Sequence, residues 1–522
     1  MNIGSEMQEI SSNNKRIAKN TLLLYFRMLV TMAVSLYTSR VVLNILGVED
    51  FGIYNVVGGI VAMFGFINGS MTSATQRYLT FELGQNNRAQ LTKVFSTSLS
   101  IHGIISFLII VLAETVGLWF LWNKMQIPAD RMNAAFWVFQ CSVAASVIMI
   151  MSVPYNAAII AHERMSAFAY ISIIEVSLKL LIVCFLRYFH TDKLILYAAL
   201  IVIVQLVIRL CYSWYCNRHF KETKYRWIWD KTLFCEMTGF AGWNLFGNLA
   251  AITFTQGLNL LLNMFFGPVV NAARGIAVQA QTAIGQFSSN FQTALNPQIT
   301  KSYATGDMEY MHGLIFRSAK FSFFLLLLLS LPVLIETKAL LTLWLKIVPD
   351  HTVVFLRIML CTTWVYAVSN PLITAASATG KIKLYQSVVG GLLLLILPIS
   401  YLCLRLGLPA YSVFIVHLVI EITAQFARLL MLKRMIKLSL REYFSKVVWC
   451  IFKVTAIALA VPQAVIYCHP QHGVWNLLMV CLVCTLSTSI SIYYFGLTSG
   501  EKTFISSKIS VILARLKPKT KD

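Results

Sequence analysis

The chain has 522 residues, 58% hydrophobic and only 12% charged, with 43 Lys and Arg against 21 Asp and Glu. Soluble proteins are roughly 45–50% apolar and roughly 25% charged, so this composition excludes a water-soluble globular protein and indicates a polytopic membrane protein. The formal charge of +22 reads as basic loops gathered on one side of a membrane, not as a nucleic-acid surface.

Residues 1–20 are polar and hold Lys15, Arg16 and Lys19. The apolar run after them contains Arg27 and leads to no A-x-A cleavage site, so it reads as an uncleaved first span. About 20 mostly apolar residues cross a bilayer as a helix. Fourteen such runs are counted: 21–46, 53–76, 94–118, 132–156, 167–187, 194–216, 236–264, 275–297, 313–335, 353–377, 384–404, 411–432, 447–468 and 475–496. The expected fold is an all-α membrane protein of about 14 transmembrane helices. With the N-terminus inside, the cytoplasmic segments carry 28 Lys and Arg, the outer loops eight and the spans seven. That bias implies an even number of spans with both termini cytoplasmic. No loop is long enough for a soluble domain, which removes most enzyme classes. The outer segment "LLTLWLKI" at 340–347 suits a short interfacial helix with Trp344 at headgroup depth.

The turn "LGVEDFG" between the first two spans places Glu49 and Asp50 among glycines, with Arg40 inside the preceding span. Arg40 reads either as a cargo-facing residue or as a brace for the hairpin. A weak internal echo at an offset of 220 sets Phe26 on Phe246, Gly47 on Gly267, Gly65 on Gly285 and Ala74 on Ala294. The expected organisation is a cytoplasmic segment 1–20, an N-lobe 21–216, a basic inter-lobe loop 217–235 and a C-lobe 236–432. Two further helices follow within 433–496, then a basic tail 497–522. A transporter built from such repeats has its site between the halves.

Polar side chains inside spans are costly, so their placement is informative. On the seventh span Asn244, Asn248, Thr255, Asn259 and Asn263 share one helical face; on the eighth, Gln279, Thr282, Gln286, Asn290 and Thr293 do. Arg27, Thr31, Ser35 and Thr38 align on the first span, and Asn68, Thr72, Thr75 and Gln76 cluster on the second. These stripes fit either interhelical hydrogen-bond glue or a water-filled cavity for a hydroxyl-rich cargo. Charges within spans are Arg27, Arg40, Lys179, Arg209, Arg357, Arg428 and Lys453, against Glu114, Glu175 and Glu421. Arg428 and Lys453 are expected to snorkel from helix ends. Glu175 and Lys179 are spaced to neutralise each other, and Glu421 and Arg428 lie seven apart on one face. Arg27, Arg40 and Arg357 remain, with Arg274 at the mouth of the eighth span. Guanidinium grips phosphate with paired hydrogen bonds, so these residues suit an anionic, sugar-bearing cargo. Each also fits an edge residue held by a carbonyl or a headgroup. Glu114, Glu175 and Glu421 are the candidates for coupling to an H+ or Na+ gradient.

No Walker A sequence and no H-E-x-x-H occur. Asp307 and Glu309 read as a solvated turn, and His469 with His472 as a poor metal pair. Cys481 and Cys484 lie inside an apolar run and read as small core fillers. No metal, cofactor or catalytic residue is expected.

The run Arg40-x5-Leu46-Gly47, then Phe51-Gly52-Ile53-Tyr54 and "SMTSATQRYLTFELG" through Arg77 and Gly84, resembles the Wzx-type polysaccharide repeat-unit flippases of the MOP exporter superfamily. The stretch from Gly242 to Phe291 is similar to the same family. The resemblance spans the whole chain and implies translocation of undecaprenyl-pyrophosphate-linked oligosaccharide from the inner to the outer leaflet, for surface polysaccharide such as O-antigen, capsule or exopolysaccharide. It implies contact with membrane lipids and with polysaccharide polymerase or assembly proteins, no nucleic acid, and a monomer. Related lipid II flippases use arginines in a central cavity; Arg27 and Arg274 occupy similar positions. Three alternatives differ in class. A MATE-type cation-coupled drug exporter usually has an acid in its first span, which 21–46 lacks. A glycan polymerase or ligase needs a sizeable outer loop. A non-transporting scaffold leaves the polar stripes without a use.

Overall fold

In the computed structural model the described residues are 19–503 apart from 36, 39–40, 43–44, 48–49, 51–52, 55–56, 58–64, 124–126, 187, 190, 229, 346–347 and 469–472. They form helices and connectors, with no strand among them. Residues 19–35 are helical (α1), followed by α2 (Gly65–Gly84), α3 (Arg88–Asn123), α4 (Met132–Ala161), α5 (Met165–Leu186), α6 (Lys193–His219) and α7 (Lys231–Phe266). Then come α8 (Pro268–Thr305), α9 (Met308–Ile335), the short α10 (Thr337–Leu345), α11 (Thr352–Ala378), α12 (Lys383–Arg405), α13 (Ser412–Met435), α14 (Leu440–Tyr467) and α15 (Trp475–Gly496).

Eleven helices among the described residues are long and apolar enough to cross a membrane: α3 to α7, α9 and α11 to α15. The expected spans 21–46 and 53–76 fall partly outside the described residues. The expected span 275–297 lies within α8, a continuous helix of 38 residues too polar to qualify on composition. The segment expected at the interface is α10.

Local chemistry sets the helix ends. Asn87 caps α3 by accepting the Gln90 N–H at 3.2 Å. Asp192 accepts from Leu194 and Ile195 at the start of α6, and Asp230 from Leu233 in α7, each satisfying an otherwise orphaned first-turn donor. Gly267 has φ +77° between α7 and α8, a left-handed turn that glycine makes without strain. Helices run past the hydrocarbon: α3 has 36 residues, about 54 Å at 1.5 Å per residue, against a hydrocarbon core of about 30 Å.

The chain divides into two compact units. Unit 1 comprises residues 1–253, 293–311 and 374–391; unit 2 comprises 254–292, 312–373 and 392–522. The core of unit 1 packs Phe95, Ala157, Ile159, Val183, Leu186 and Met237, all nearly or fully buried. Unit 2 has one core around Leu262, Phe355, Leu356, Leu360 and Val413. In a second, α14 and α15 pack Val454, Ala458, Val480 and Cys484 against Leu327 and Leu331 of α9. Cys484 is thus a core filler, as its apolar run suggested.

Candidate functional site

Unit 1 gathers charge between α1, α5 and α6. Arg27 lays its guanidinium 4.4 Å from the centroid of Phe168 and interacts with Tyr212. Glu175 acts on the same tyrosine, and accepts from Lys179 Nζ at 2.6 Å and Gln205 Nε2 at 3.3 Å. The structure therefore brings Arg27 and Glu175 around one phenol, with Lys179 neutralising Glu175 as its spacing suggested. Glu114 lies elsewhere, in a π turn over Ala113–Gly117, and accepts from Gln140 Nε2 at 3.2 Å.

Unit 2 carries the polar face of α8. Gly275, Gln279, Thr282, Gln286 and Ser289 are all exposed and fall within about 80° of arc at about 100° per residue. Exposed residues of α3 are instead Ile104, Phe107, Leu108 and Val111, an ordinary lipid-facing set. Amides and hydroxyls facing hydrocarbon would lack hydrogen-bond partners, so the α8 stripe has the chemistry of a water-facing wall. Arg274, 6% exposed, flanks it. Its Nη2 donates to the Thr255 carbonyl at 2.9 Å and its Nη1 to Asn259 Oδ1. Two turns further along the same flank of α8, Gln281 Nε2 donates to the Met359 carbonyl at 3.2 Å and to Thr363 Oγ1 at 2.8 Å. Asn290 is buried and donates to the Gln286 carbonyl at 2.9 Å.

The remaining nominated residues serve packing contacts. Asn244 accepts from Gln386 at 3.0 Å, and Asn248 donates to Ser70 at 2.8 Å. Arg357 donates to the Leu334 carbonyl at 3.0 Å, Thr337 Oγ1 at 3.1 Å and the Ile335 carbonyl at 3.1 Å. It thereby closes the C-terminal end of α9, whose last carbonyls have no helical partner. Arg428 does not snorkel. It is 2% exposed and donates to Glu421 at 2.8 Å and to Ser369 at 3.2 Å. The two side chains lie two turns apart on one face of α13, so each neutralises the other inside the bundle, and their attraction offsets part of the desolvation cost of burying both charges. Arg40 lies outside the described residues, as do Asn68's side chain and the pair His469 and His472.

Sequence reasoning missed the contacts at the end of unit 1 where the basic loops lie. Glu163, in a left-handed turn with φ +58°, has a side chain 1% exposed. It accepts from Lys301 Nζ at 2.7 Å and Gln298 Nε2 at 2.6 Å, while its carbonyl accepts from Asn20 Nδ2 at 3.2 Å. Nearby, Arg77 Nη2 donates to the Ala378 carbonyl at 3.0 Å, and its guanidinium lies over Tyr78 and Phe81 at 4.5 and 4.8 Å. Gly380, with φ +75°, sits so close that a Cβ there would meet Arg77 Nη2 at 2.7 Å. Gln85 donates to the Ala304 carbonyl at 3.2 Å. These bonds tie residues from the first half of the sequence to residues beyond 290. A lone carboxylate beside Arg164 in the short 157–166 loop was the one signal for Glu163.

Two loop carboxylates are held in the charged form. Burial alone would push Glu222 up, but the hydrogen bond from His162, at 2.5 Å, outweighs it and leaves the carboxyl below its ordinary range. Asp192 behaves likewise: burial raises it, and Arg131 together with two backbone N–H groups draws it lower. Arg131 also grips Asp50 through Nε at 2.8 Å and Nη2 at 2.5 Å. The acid in the first hairpin therefore serves to clamp that hairpin to the starts of α4 and α6.

No family model matches the chain, and no curated protein matches it. Solved structures do. A multidrug resistance MATE family transporter of the MOP superfamily, in its outward-facing conformation, is 13% identical, with a TM-score of 0.70 covering 81% of this chain and 96% of that one. The Vibrio cholerae MATE transporter VcmN in its bent form is 17% identical, at TM-score 0.68, over 82% and 98%. A MOP superfamily transporter from Pyrococcus furiosus, described as having a binding pocket of reversed polarity, is 14% identical, at 0.65, over 81% and 96%. The chain has the helical fold of the MATE transporters of the MOP superfamily.

Proposed function

We propose that the protein is a flippase that moves undecaprenyl-pyrophosphate-linked oligosaccharide repeat units from the inner to the outer leaflet of the bacterial inner membrane, with both termini cytoplasmic. The observation that carries this reading is the α8 stripe of Gly275, Gln279, Thr282, Gln286 and Ser289, polar and exposed where Ile104, Phe107, Leu108 and Val111 make an exposed apolar face on α3. Amides and hydroxyls in a row offer both donors and acceptors, which is what sugars require. Arg27 and Arg274 offer cations for a pyrophosphate: Arg27 lies against an aromatic ring, and Arg274 donates to amide and carbonyl oxygens. In the cycle we infer, the arginines take the pyrophosphate, the amide face takes sugars and the lipid tail stays in the bilayer. Rocking of the two lobes then changes the side of access.

The test is export. Arg27→Ala and Arg274→Ala are expected to abolish surface glycan while Lys453→Ala leaves it unchanged, with lipid-linked repeat unit accumulating on the inner leaflet. Normal glycan in both arginine variants, at normal protein level, overturns the assignment. The fold likeness to a multidrug resistance MATE transporter favours one second reading, a cation-coupled drug exporter. Under that reading deletion sensitises cells to drugs and leaves surface glycan intact. Glu175 and Glu421 are each ion-paired with a cation of their own helix, which lessens the supply of carboxylates free for coupling.

A further inference from the structure

Between Arg218 and Lys231 the chain carries five cations, Arg218, Lys221, Lys224, Arg226 and Lys231, and two acids. All five cations are exposed. Both acids are committed elsewhere: Glu222 meets His162, with its side chain 13% exposed, and Asp230 caps α7. None of the five cations is ion-paired with a carboxylate among the described residues. Interleaved with them are Trp214, Tyr225 and Trp227, exposed at 62%, 44% and 85%, and Arg218 lies 5.5 Å from the Trp214 ring.

The depth of this segment is fixed by two bonds to α3. The Arg226 N–H donates to Ser96 Oγ at 3.2 Å, and Tyr225 OH hydrogen-bonds Ser100 Oγ at 3.4 Å. Ser96 and Ser100 stand about 12 and 18 Å along the helix from Arg88 at 1.5 Å per residue. The segment thus folds back along the flank of α3 to where its apolar run begins. That is the depth at which tryptophan and tyrosine rings sit between water and hydrocarbon.

We propose that Trp214, Arg218, Lys221, Lys224, Arg226 and Trp227 form a docking surface for anionic phospholipid headgroups of the protein's own bilayer. Inward acids, outward cations and rings at the apolar boundary match that one partner in both charge and depth. A soluble acidic protein would have no use for two exposed tryptophans at the boundary between water and hydrocarbon. The surface rests on the membrane-spanning reading and is independent of the cargo.

The test uses the full chain, purified, delipidated and offered equal phosphatidylglycerol and phosphatidylcholine, with retained lipid counted by native mass spectrometry. Phosphatidylglycerol is expected to be enriched. The triple variant Lys221→Gln, Lys224→Gln, Arg226→Gln is expected to lose about threefold of that enrichment. A triple control at equally exposed cations of another basic loop, Lys433→Gln, Arg434→Gln, Lys437→Gln, is expected to retain it. Lys224→Gln and Trp227→Ala singly, each expected to lose about half, serve if the triple variant folds poorly. Equal enrichment in patch and control variants, or wild-type enrichment in the patch variant, overturns the proposal.

Discussion

Along α8, the stretch 275–289 bears Gln279, Thr282, Gln286 and Ser289, and the stretch 292–302 bears Gln292, Gln298, Thr300, Lys301 and Ser302. In the first these side chains are exposed; in the second Gln292, Gln298, Thr300 and Ser302 are buried. The buried amides have partners: Gln292 donates to the Ala367 carbonyl at 2.9 Å and Gln298 to Glu163 at 2.6 Å. The hydroxyls of Thr300 and Ser302 return to carbonyls one turn back. The exposed amides Gln279 and Gln286 can meet water or cargo, whereas Gln292 and Gln298, like Gln281 on the inner flank of the first stretch, are spent on the fold. Similar composition on one helix therefore yields a candidate recognition surface in one place and a structural joint in another.

The comparison breaks hardest at Glu163. Glu163→Ala leaves Gln298 and Lys301 without their acceptor; because the Lys301 side chain is 25% exposed and can partly reach water, a loss of about 2–4 kcal/mol is expected. Thermal unfolding of the purified protein measures it, and a loss under about 1 kcal/mol would remove Glu163 from the joint. Next come matched substitutions on the two stretches. Gln298→Leu is expected to cost about 1–2 kcal/mol of stability. Gln286→Leu should stay within about 0.5 kcal/mol, as exposed positions do, while lowering glycan export. Equal stability losses in the two variants would erase the distinction between the stretches.

The smallest expected effect is a pH dependence at the other joint of the same turn. The folded Glu222 carboxyl lies below its unfolded value, so its bond to His162 contributes stability above about pH 4.3. That contribution is lost as pH falls through the folded value. Glu222 is only partly buried, so under about 1 kcal/mol is at stake. Glu222→Gln should flatten the acid limb of the stability curve, and an unchanged limb would show that the pair contributes nothing.

How much was legible in advance depended on the range of the interaction. Span positions followed from local hydropathy. The Glu175–Lys179 pair followed from an i,i+4 spacing, and helical periodicity put Gln279, Thr282 and Gln286 on one exposed face of α8, whereas Asn290, expected on that face, is buried. Arg428 was misread because its distance from a helix end says nothing of whether the surrounding helices leave a path to water. Glu163 and Lys301, 138 residues apart, share no local pattern that could pair them.

The sequence by itself determined an all-helical, many-spanning chain with basic loops and one unusually polar span, because hydropathy and the 3.6-residue repeat act within a single helix. Only the tertiary structure decided which polar groups were spent. It gave Asn244 to Gln386, Arg357 to the end of α9 and Gln298 to Glu163, and it left Gln279 and Gln286 exposed. Desolvation is set by neighbours from distant parts of the chain, and a buried amide is stable only where such a neighbour supplies the missing bond.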